Sequence, residues 1–465
     1  MKNGRQNILD DDRIGHLMVK LSLPALTGIL VMTLYNVIDT IFVGHYVGPD
    51  GIAGLTIVFP AQMIMMAIGG MMGMGGASLI SRSIGAGKIA RAEHALGNAL
   101  TAAVALSVVV MIAGLSDTDG LLRLMGASES VLPHARDYMT LILISVPFKT
   151  MAMAQNALIR AEGNARVPMV GMIIGAVLNI ILDAVFIVLL GMGIRGAALG
   201  TLISSVVISL YFIIYYLSPR SFLNIHSKNL IIDWGILRSI LAIGISVFAN
   251  MSASSLTIVF INRALAAFGG DVAISAYGLV NRIMMFAFMP AMVIGMGLQP
   301  ILGFNYGAKR YDRALKAIKL AVIAATAISV AVFLAVYFVP EVFIRIFTTD
   351  GDVIDMGGYA ARHIFFVKYL IGFVMVGSVV FQAMGKAPQA FVTAIARPAL
   401  FLLPLVFILP HFWQLDGVWL AFPITDVLTF ILVLVLIIPQ IRMLRTLGQE
   451  NSAQDLIASS RADPD

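Results

Sequence analysis

From about Val167 to Leu190 the chain runs through two dozen residues with one ionisable side chain, Asp183. A helix of that length crosses the roughly 30 Å hydrocarbon core of a bilayer. In that medium every backbone N–H and C=O must be bonded within the segment, so an apolar run of this length can only be a helix. Eleven further runs share the pattern, at about 17–44, 52–80, 92–114, 132–158, 196–217, 236–263, 272–300, 315–339, 354–383, 389–410 and 416–440. The whole chain is 59% hydrophobic and only 12% charged, half the charge of a soluble domain, about 25%. The expected fold class is an all-α membrane protein of twelve transmembrane helices.

Lysine and arginine set the orientation. About twenty lie at the N-terminus, in the even-numbered loops and in the C-terminal tail, among them Arg82, Lys88, Lys309 and Arg310. The odd-numbered loops hold six: Arg123, Arg136, Arg195, Arg263, Arg345 and Arg362. Basic loops stay in the cytoplasm, so both termini are expected there, in a cell (inner) membrane. The net charge of +6 is topological and signals no nucleic-acid partner. The absence of Cys excludes disulfides and thiolate metal sites. Gly85-Ala86-Gly87-Lys88 lacks the glycine and hydroxyl positions of a phosphate loop, so no nucleotide is expected to drive the protein. An ion gradient remains.

The chain repeats itself at a shift of 222 residues. Ile84-Gly85-Ala86-Gly87-Lys88 matches Tyr306-Gly307-Ala308-Lys309-Arg310, Ala161-Glu162-Gly163 matches Ala383-Met384-Gly385, and Gly73-Met74-Gly75 matches Gly295-Met296-Gly297. Two six-helix bundles of like orientation follow, as in transporters built from parallel repeats. The expected organisation is a cytoplasmic segment 1–16, a first lobe 17–217, a linker 218–235, a second lobe 236–440, and a polar cytoplasmic tail 441–465 without fixed structure.

Ionisable groups inside spans are costly and mark function by default. Asn179 and Asp183 lie one turn apart on one face of the fifth run. Asp39 interrupts the first run, and Thr201 lies early in the sixth. Counted at 1.5 Å per residue, Asp39, Asp183 and Thr201 share a depth of about 8–10 Å from the outer end. Two carboxylates forced together in low dielectric can hold a proton between them. With amide, hydroxyl and carbonyl oxygens they can equally hold Na⁺, and the residues leave both open. The alternative is a structural hydrogen-bond network or an aspartate near the headgroups. Lys149 in the fourth run either joins this interior or snorkels toward the cytoplasm. The second half carries Arg282, Lys368, Arg397 and Asp426 near mid-span, expected to pair as one polar cluster with Asp426 as the acid. The 27 Met include clusters at 63–66 and 284–289. Met is adaptable and suits variable apolar ligands, which makes Met63 a cavity candidate beside its plainer reading as packing. The glycines of the second run and of Gly196-Ala197-Ala198-Leu199-Gly200 are read as close helix packing.

These residues resemble a known family. Tyr35-Asn36-Val37-Ile38-Asp39-Thr40, Asn179 to Asp183, and Gly196 to Thr201 look like the MATE multidrug and toxic compound extrusion transporters, in their bacterial DinF- and MepA-like branch. The resemblance covers about 10–445. It implies a MATE/MOP-type architecture of two pseudo-symmetric six-helix bundles. It also implies an ion site of Asp39, Asn179, Asp183 and Thr201 with the Ala197 carbonyl, and a substrate cavity lined by Tyr35, Tyr138 and Asn156. The expected activity is secondary antiport of organic cations or amphiphilic drugs against H⁺ or Na⁺ by a monomer, with no catalysis and no cofactor beyond the ion. The acids that one branch of the family carries in its seventh and tenth helices are missing here. A lipid or lipid-linked-oligosaccharide flippase of the same superfamily is the alternative. It would predict a basic cavity, and the first two helices offer only Lys20.

Overall fold

The computed structural model describes residues 8–462 apart from 48, 128 and 130, and the side chains among them other than those of 40, 49–53 and 452–462. The expected N-terminal segment 1–16 lies partly outside the described residues. The described residues are predominantly helical, with no strand among them. We number the spans α1 (Ile14–Tyr46), α2 (Pro49–Gly85), α3 (Ile89–Ser116), α4 (Leu132–Ala161), α5 (Arg166–Leu189) and α6 (Gly193–Leu217). A helical stretch Trp234–Gly307 follows, broken at Gly270, where φ is 64° and ψ −162°. Unbroken, its 74 residues would run on the order of 110 Å, several bilayer cores. It is therefore two spans, α7 (234–269) and α8 (271–307). Then come α9 (Tyr311–Phe338), α10 (Gly351–Phe365 and Lys368–Met384, bent by 48° between them), α11 (Ala387–Ile408) and α12 (Pro410–Ala462, kinked at Trp413 and Gln414). Large apolar side chains stand exposed along these helices, such as Val109, Ile112, Ile214 and Val435. On a soluble protein such a surface would be an aggregation hazard. Here it meets lipid tails.

The repeat is visible in the backbone. After α2, Gly87 N–H donates to the Ile84 carbonyl and Lys88 N–H to that of Ser83; after α8, Lys309 donates to Tyr306 and Arg310 to Asn305. After α4, Gly163 donates to Arg160 and Asn164 to Ile159; after α10, Gly385 donates to Gln382 and Lys386 to Phe381. These are left-handed helix caps of one type. Their turning residues, Gly87 (φ 71°), Lys309 (58°), Gly163 (97°) and Gly385 (74°), fall in pairs 222 residues apart. Glycine adopts that conformation without strain. Lys309 does not, and its carbonyl takes a bond from Asn451 Nδ2 at 2.9 Å.

The described residues group into two compact units, one of residues 8–11 with Lys20–Ser252 and one of Asp12–Val19 with Ala253 onward. The boundary thus lies inside α7 and not in the linker 218–235, and the first turns of α1 group with the second unit. Packing gives the reason for the position in α7. A Cβ on Gly75 of α2 would strike the Ile240 carbonyl, and one on Gly244 would strike that of Met71, so the first half of α7 lies backbone to backbone on α2. In the first unit α4 is the central helix, packed on α2, α3 and α6. Gly69 and Gly73 of α2 face Met153 and Ala154 of α4, at 3.0 and 3.1 Å from where a Cβ would stand. The second unit's core gathers Tyr277, Phe288, Phe365, Trp419 and Phe422.

Two segments expected to be loose polar connections are ordered. The linker is held against α3 and the α4–α5 turn. Asn98 Nδ2 donates to the carbonyls of Asn229 and Ile231, and its Oδ1 accepts from Asp233 N–H at 2.7 Å. Thr101 donates to Leu230 O, and Glu93 accepts from the backbone and side chain of Asn224. The tail continues α12 as a helix to Ala462, with Leu444 fully buried. Among the described residues, four of the six arginines on the sparsely basic face pair with acids: Arg123–Glu129, Arg136–Asp119, Arg195–Asp137 and Arg362–Glu341.

Glu162 is the buried end of the linker clasp. It accepts from Tyr215 Oη at 2.5 Å, Ser221 Oγ at 3.3 Å and Leu223 N–H at 3.1 Å. Burial pushes its carboxyl up to about 7, against the pull of these donors and of Phe222 N–H. A carboxyl raised on docking favours the docked state below its ordinary range, and that advantage is lost as pH rises through the docked value. Hydrogen-exchange protection of the Leu223 amide is therefore expected to fall about tenfold between roughly pH 5.5 and 7 and to level off above. Glu162→Gln should flatten that profile. An unchanged pH dependence in the variant would assign it to another group.

Candidate functional site

Asp183 ends the regular part of α5, and a six-residue π-helical stretch, Ala184–Leu189, follows at once. Such widened turns recur at functional sites. Asp183 is fully buried and Asn179 nearly so. Among the described residues no hydrogen-bond donor reaches either oxygen of Asp183, and the amide of Asn179 has no partner. The carboxyl of Asp39, from α1, stands within hydrogen-bonding reach of Asp183. Two carboxyls can bond only through a shared proton or cation. The structure thus brings together the two acids read from the sequence, 144 residues apart.

Aromatic and amide groups close around the pair. Tyr35 lies within electrostatic range of both acids, as does Tyr138 of α4. The Tyr138 hydroxyl accepts from Gln62 Nε2 at 3.1 Å. Lys149, three helical turns past Tyr138 and on nearly the same face of α4, is half-buried and feels Asp39. It therefore joins the interior. Sequence reading missed Gln62, which looks like any polar residue in a glycine- and methionine-rich helix. It also assigned Gly200 to packing alone. A Cβ at Gly200 would sit 2.8 Å from Asp183 Oδ1 and 3.5 Å from Asn179 Nδ2, and one at Gly196 would sit 3.0 Å from the Phe186 backbone. The glycine run of α6 both packs against the π-helical stretch and makes room for the carboxylate.

The other candidates are placed as follows. Ala197 is buried in a core cluster with Tyr138 and Ile187. Thr201 is half-buried one residue past Gly200, and Asn156 and Met63 are half-buried on α4 and α2. The Thr40 side chain lies outside the described residues. Gly200→Ala is expected to leave the protein folded, because the crowded atom is a side-chain oxygen, while pushing Asp183 out of register with Asp39. Ion-coupled export should drop severalfold at unchanged melting temperature, and full activity would show that the close fit is immaterial.

In the second unit the structure groups three of the four expected charges. Lys368 Nζ and Arg397 Nε both bond Asp426, the latter at 2.9 Å. Arg282 is not among them, which corrects the sequence expectation. Its exposed side chain lines a cavity of about 370 Å³ with Ser275, Thr348, Asp350 and Val353. Arg282 sits eleven residues from the start of α8, but helical azimuth and not depth decides which groups can meet.

Twelve apolar spans in two sixfold repeats, with an acid pair inside one bundle, define a multi-pass membrane protein of the transporter class. A family model described as MatE matches residues 24–185 and 242–408, and the chain belongs to that family. The multidrug export protein MepA of Staphylococcus aureus (strain MSSA476) is 27% identical over 420 residues, 90% of this chain and 92% of that protein. Among solved structures, the MATE multidrug transporter DinF-BH is 40% identical, with a TM-score of 0.88 over 96% of this chain and 99% of that one. A MOP superfamily transporter from Pyrococcus furiosus, reported with a binding pocket of reverse polarity that suggests a different function, is 27% identical with a TM-score of 0.89, over 96% of this chain and all of that one.

Proposed function

We propose that this protein is a secondary multidrug antiporter of the cell membrane. It would export organic cations in exchange for H⁺ or Na⁺ bound at Asp39 and Asp183. The observation that carries this reading is the buried carboxyl pair, supplied with no protein donor on Asp183 and flanked by the unpartnered amide of Asn179. Such a pair must take up something positive, and a proton, a sodium ion or a cationic drug each meets that need. The names of the similar protein MepA and of the structure DinF-BH support its coarser part, multidrug export.

Competition for one pair of acids suffices for coupling. Open to the outside, the pair takes the ion, loses its affinity for the drug cation and releases it. Open to the cytoplasm, it loses the ion and attracts the next drug cation. The ion shifts the equilibrium only by its differential affinity for the two states. Gly200 holds Asp183 close against α6, Tyr35 and Tyr138 offer hydroxyls and ring faces to a bound cation, and Met63 supplies adaptable apolar surface. For Na⁺, Asp39, Asn179, Asp183 and Thr201 would be the ligands. The test is ethidium uptake into everted vesicles, whose lumen corresponds to the cell exterior, under pH and Na⁺ gradients imposed separately. Concentrative uptake driven by one of them is expected. Uptake driven by neither would overturn the reading.

A further inference from the structure

Two departures from regular helix meet beside Asp426 in the second unit. α10 breaks between Phe365 and Lys368 and bends by 48°. Arg397 lies in a seven-residue π-helical stretch of α11, Ala396–Leu402. Asp426 projects from α12 one turn after Phe422, whose ring lies 5.7 Å from that of Tyr277. The π-helical stretch is tied to α7 by Thr257 Oγ1, which donates to the Pro398 carbonyl at 2.9 Å. Broken helices at mid-membrane are where transporters build ligand sites.

The charges there do not balance. Lys368 and Asp426 are each 1% exposed, and Arg397 is 32% exposed. Both Asp426 oxygens are taken, one by Lys368 and one by Arg397 Nε. Two cations thus share one carboxylate. The two terminal amino groups of Arg397 bond no described residue, and Tyr277 lies within its electrostatic range. A surplus positive charge inside a membrane bundle is costly without a partner. The free edge of a guanidinium is a planar fork fitted to two oxygens of a carboxylate or phosphate.

We propose that the second unit holds an anion-binding site at the outer edge of Arg397, oriented by Asp426 and flanked by Tyr277, which takes the carboxylate or phosphate of an amphiphile. It is separate from the acid pair of the first unit and needs no ion gradient to be occupied. The same head-group chemistry could reach it on a free amphiphile or on a membrane lipid.

The test is calorimetric titration of the full-length protein in neutral detergent with octyl phosphate, beside the uncharged octyl glucoside. Saturable binding of octyl phosphate alone is expected. Arg397→Gln should weaken it about tenfold or more, the loss expected for a bidentate charge-assisted contact. Arg397→Lys, which keeps the charge and a bond to Asp426, guards against a folding defect and should weaken it by less. Arg282→Gln should bind like the parent. A second arm compares melting in nanodiscs of phosphatidylcholine with and without phosphatidylglycerol. Stabilisation by phosphatidylglycerol that Arg397→Lys diminishes would name a lipid as the source; its absence alongside octyl phosphate binding would name a free ligand. Equal binding of the two octyl compounds, undiminished binding in both Arg397 variants, loss in Arg282→Gln instead, or no response in either arm would overturn the proposal. Because no transport is measured, failure here leaves the antiporter reading standing, and the reverse holds too.

Discussion

Vesicles carrying Asp183→Asn are expected to hold ethidium at equal concentration on both sides, whatever pH or Na⁺ gradient is imposed. An electroneutral exchange of one proton for one monovalent cation draws about 1.4 kcal/mol from each pH unit, or about tenfold in accumulation. The variant should lose that factor entirely, and drug-stimulated ion release with it. Loss of folding is not expected. Asn has nearly the volume of Asp, Asp183 accepts no bond from a described donor, and the new amide can donate to Asp39 in place of a shared proton. The carboxyl of Asp39 also gains a neutral amide in place of a like charge. Folded protein with an unaltered melting temperature and no coupling is the predicted signature. Normal gradient-driven export by this variant would remove Asp183 from the coupling machinery.

Asp426→Asn should do the opposite. It leaves Lys368, buried to 1% exposure, and Arg397 without their shared carboxylate. Stranding a buried charge costs about 3–5 kcal/mol, a large part of the roughly 5–15 kcal/mol that typically holds a protein folded. Membrane yield and melting temperature should collapse, while any folded fraction keeps the parental ion-to-drug stoichiometry. Removing the whole cluster, with Lys368→Met, Arg397→Met and Asp426→Leu together, should restore most of the stability, because apolar replacement of a buried ion cluster is often neutral or better. That variant should also lose the anion binding proposed above. A stable Asp426→Asn protein with altered stoichiometry would move the coupling into the second unit.

The acid pair was legible before any coordinates because hydrocarbon makes ionisable residues rare. Asp39 and Asp183 therefore stood out from their neighbours, and their depths followed from counting residues along straight helices. The same counting misled for Arg282. It gives height but no azimuth, and α8 places Arg282 beside Thr348 and Asp350, while Asp426 bonds Lys368 and Arg397. The role of Gly200 was hidden for a related reason. A glycine that admits a neighbouring backbone and one that admits a buried carboxylate are written with the same letter. The linker and the tail read as loose because they are polar. Yet Asn98, Glu93 and Glu162 in the first half bind the linker's backbone, and under the repeat Glu162 corresponds to Met384, where no such linker follows.

What the sequence determined by itself is the number of spans, the twofold repeat and the acids inside the first bundle. Lipid leaves the backbone one conformation to adopt and penalises every buried charge, so composition and spacing carry that information directly. What the tertiary structure decided is who faces whom: that Asp39 reaches Asp183, that Lys368 and Arg397 share one carboxylate, and that the guanidinium edge has no partner among the described residues. Those outcomes depend on the rotation of each helix about its axis and on local π-helical and broken turns. Many side-chain packings fix them jointly, and no single stretch of sequence does.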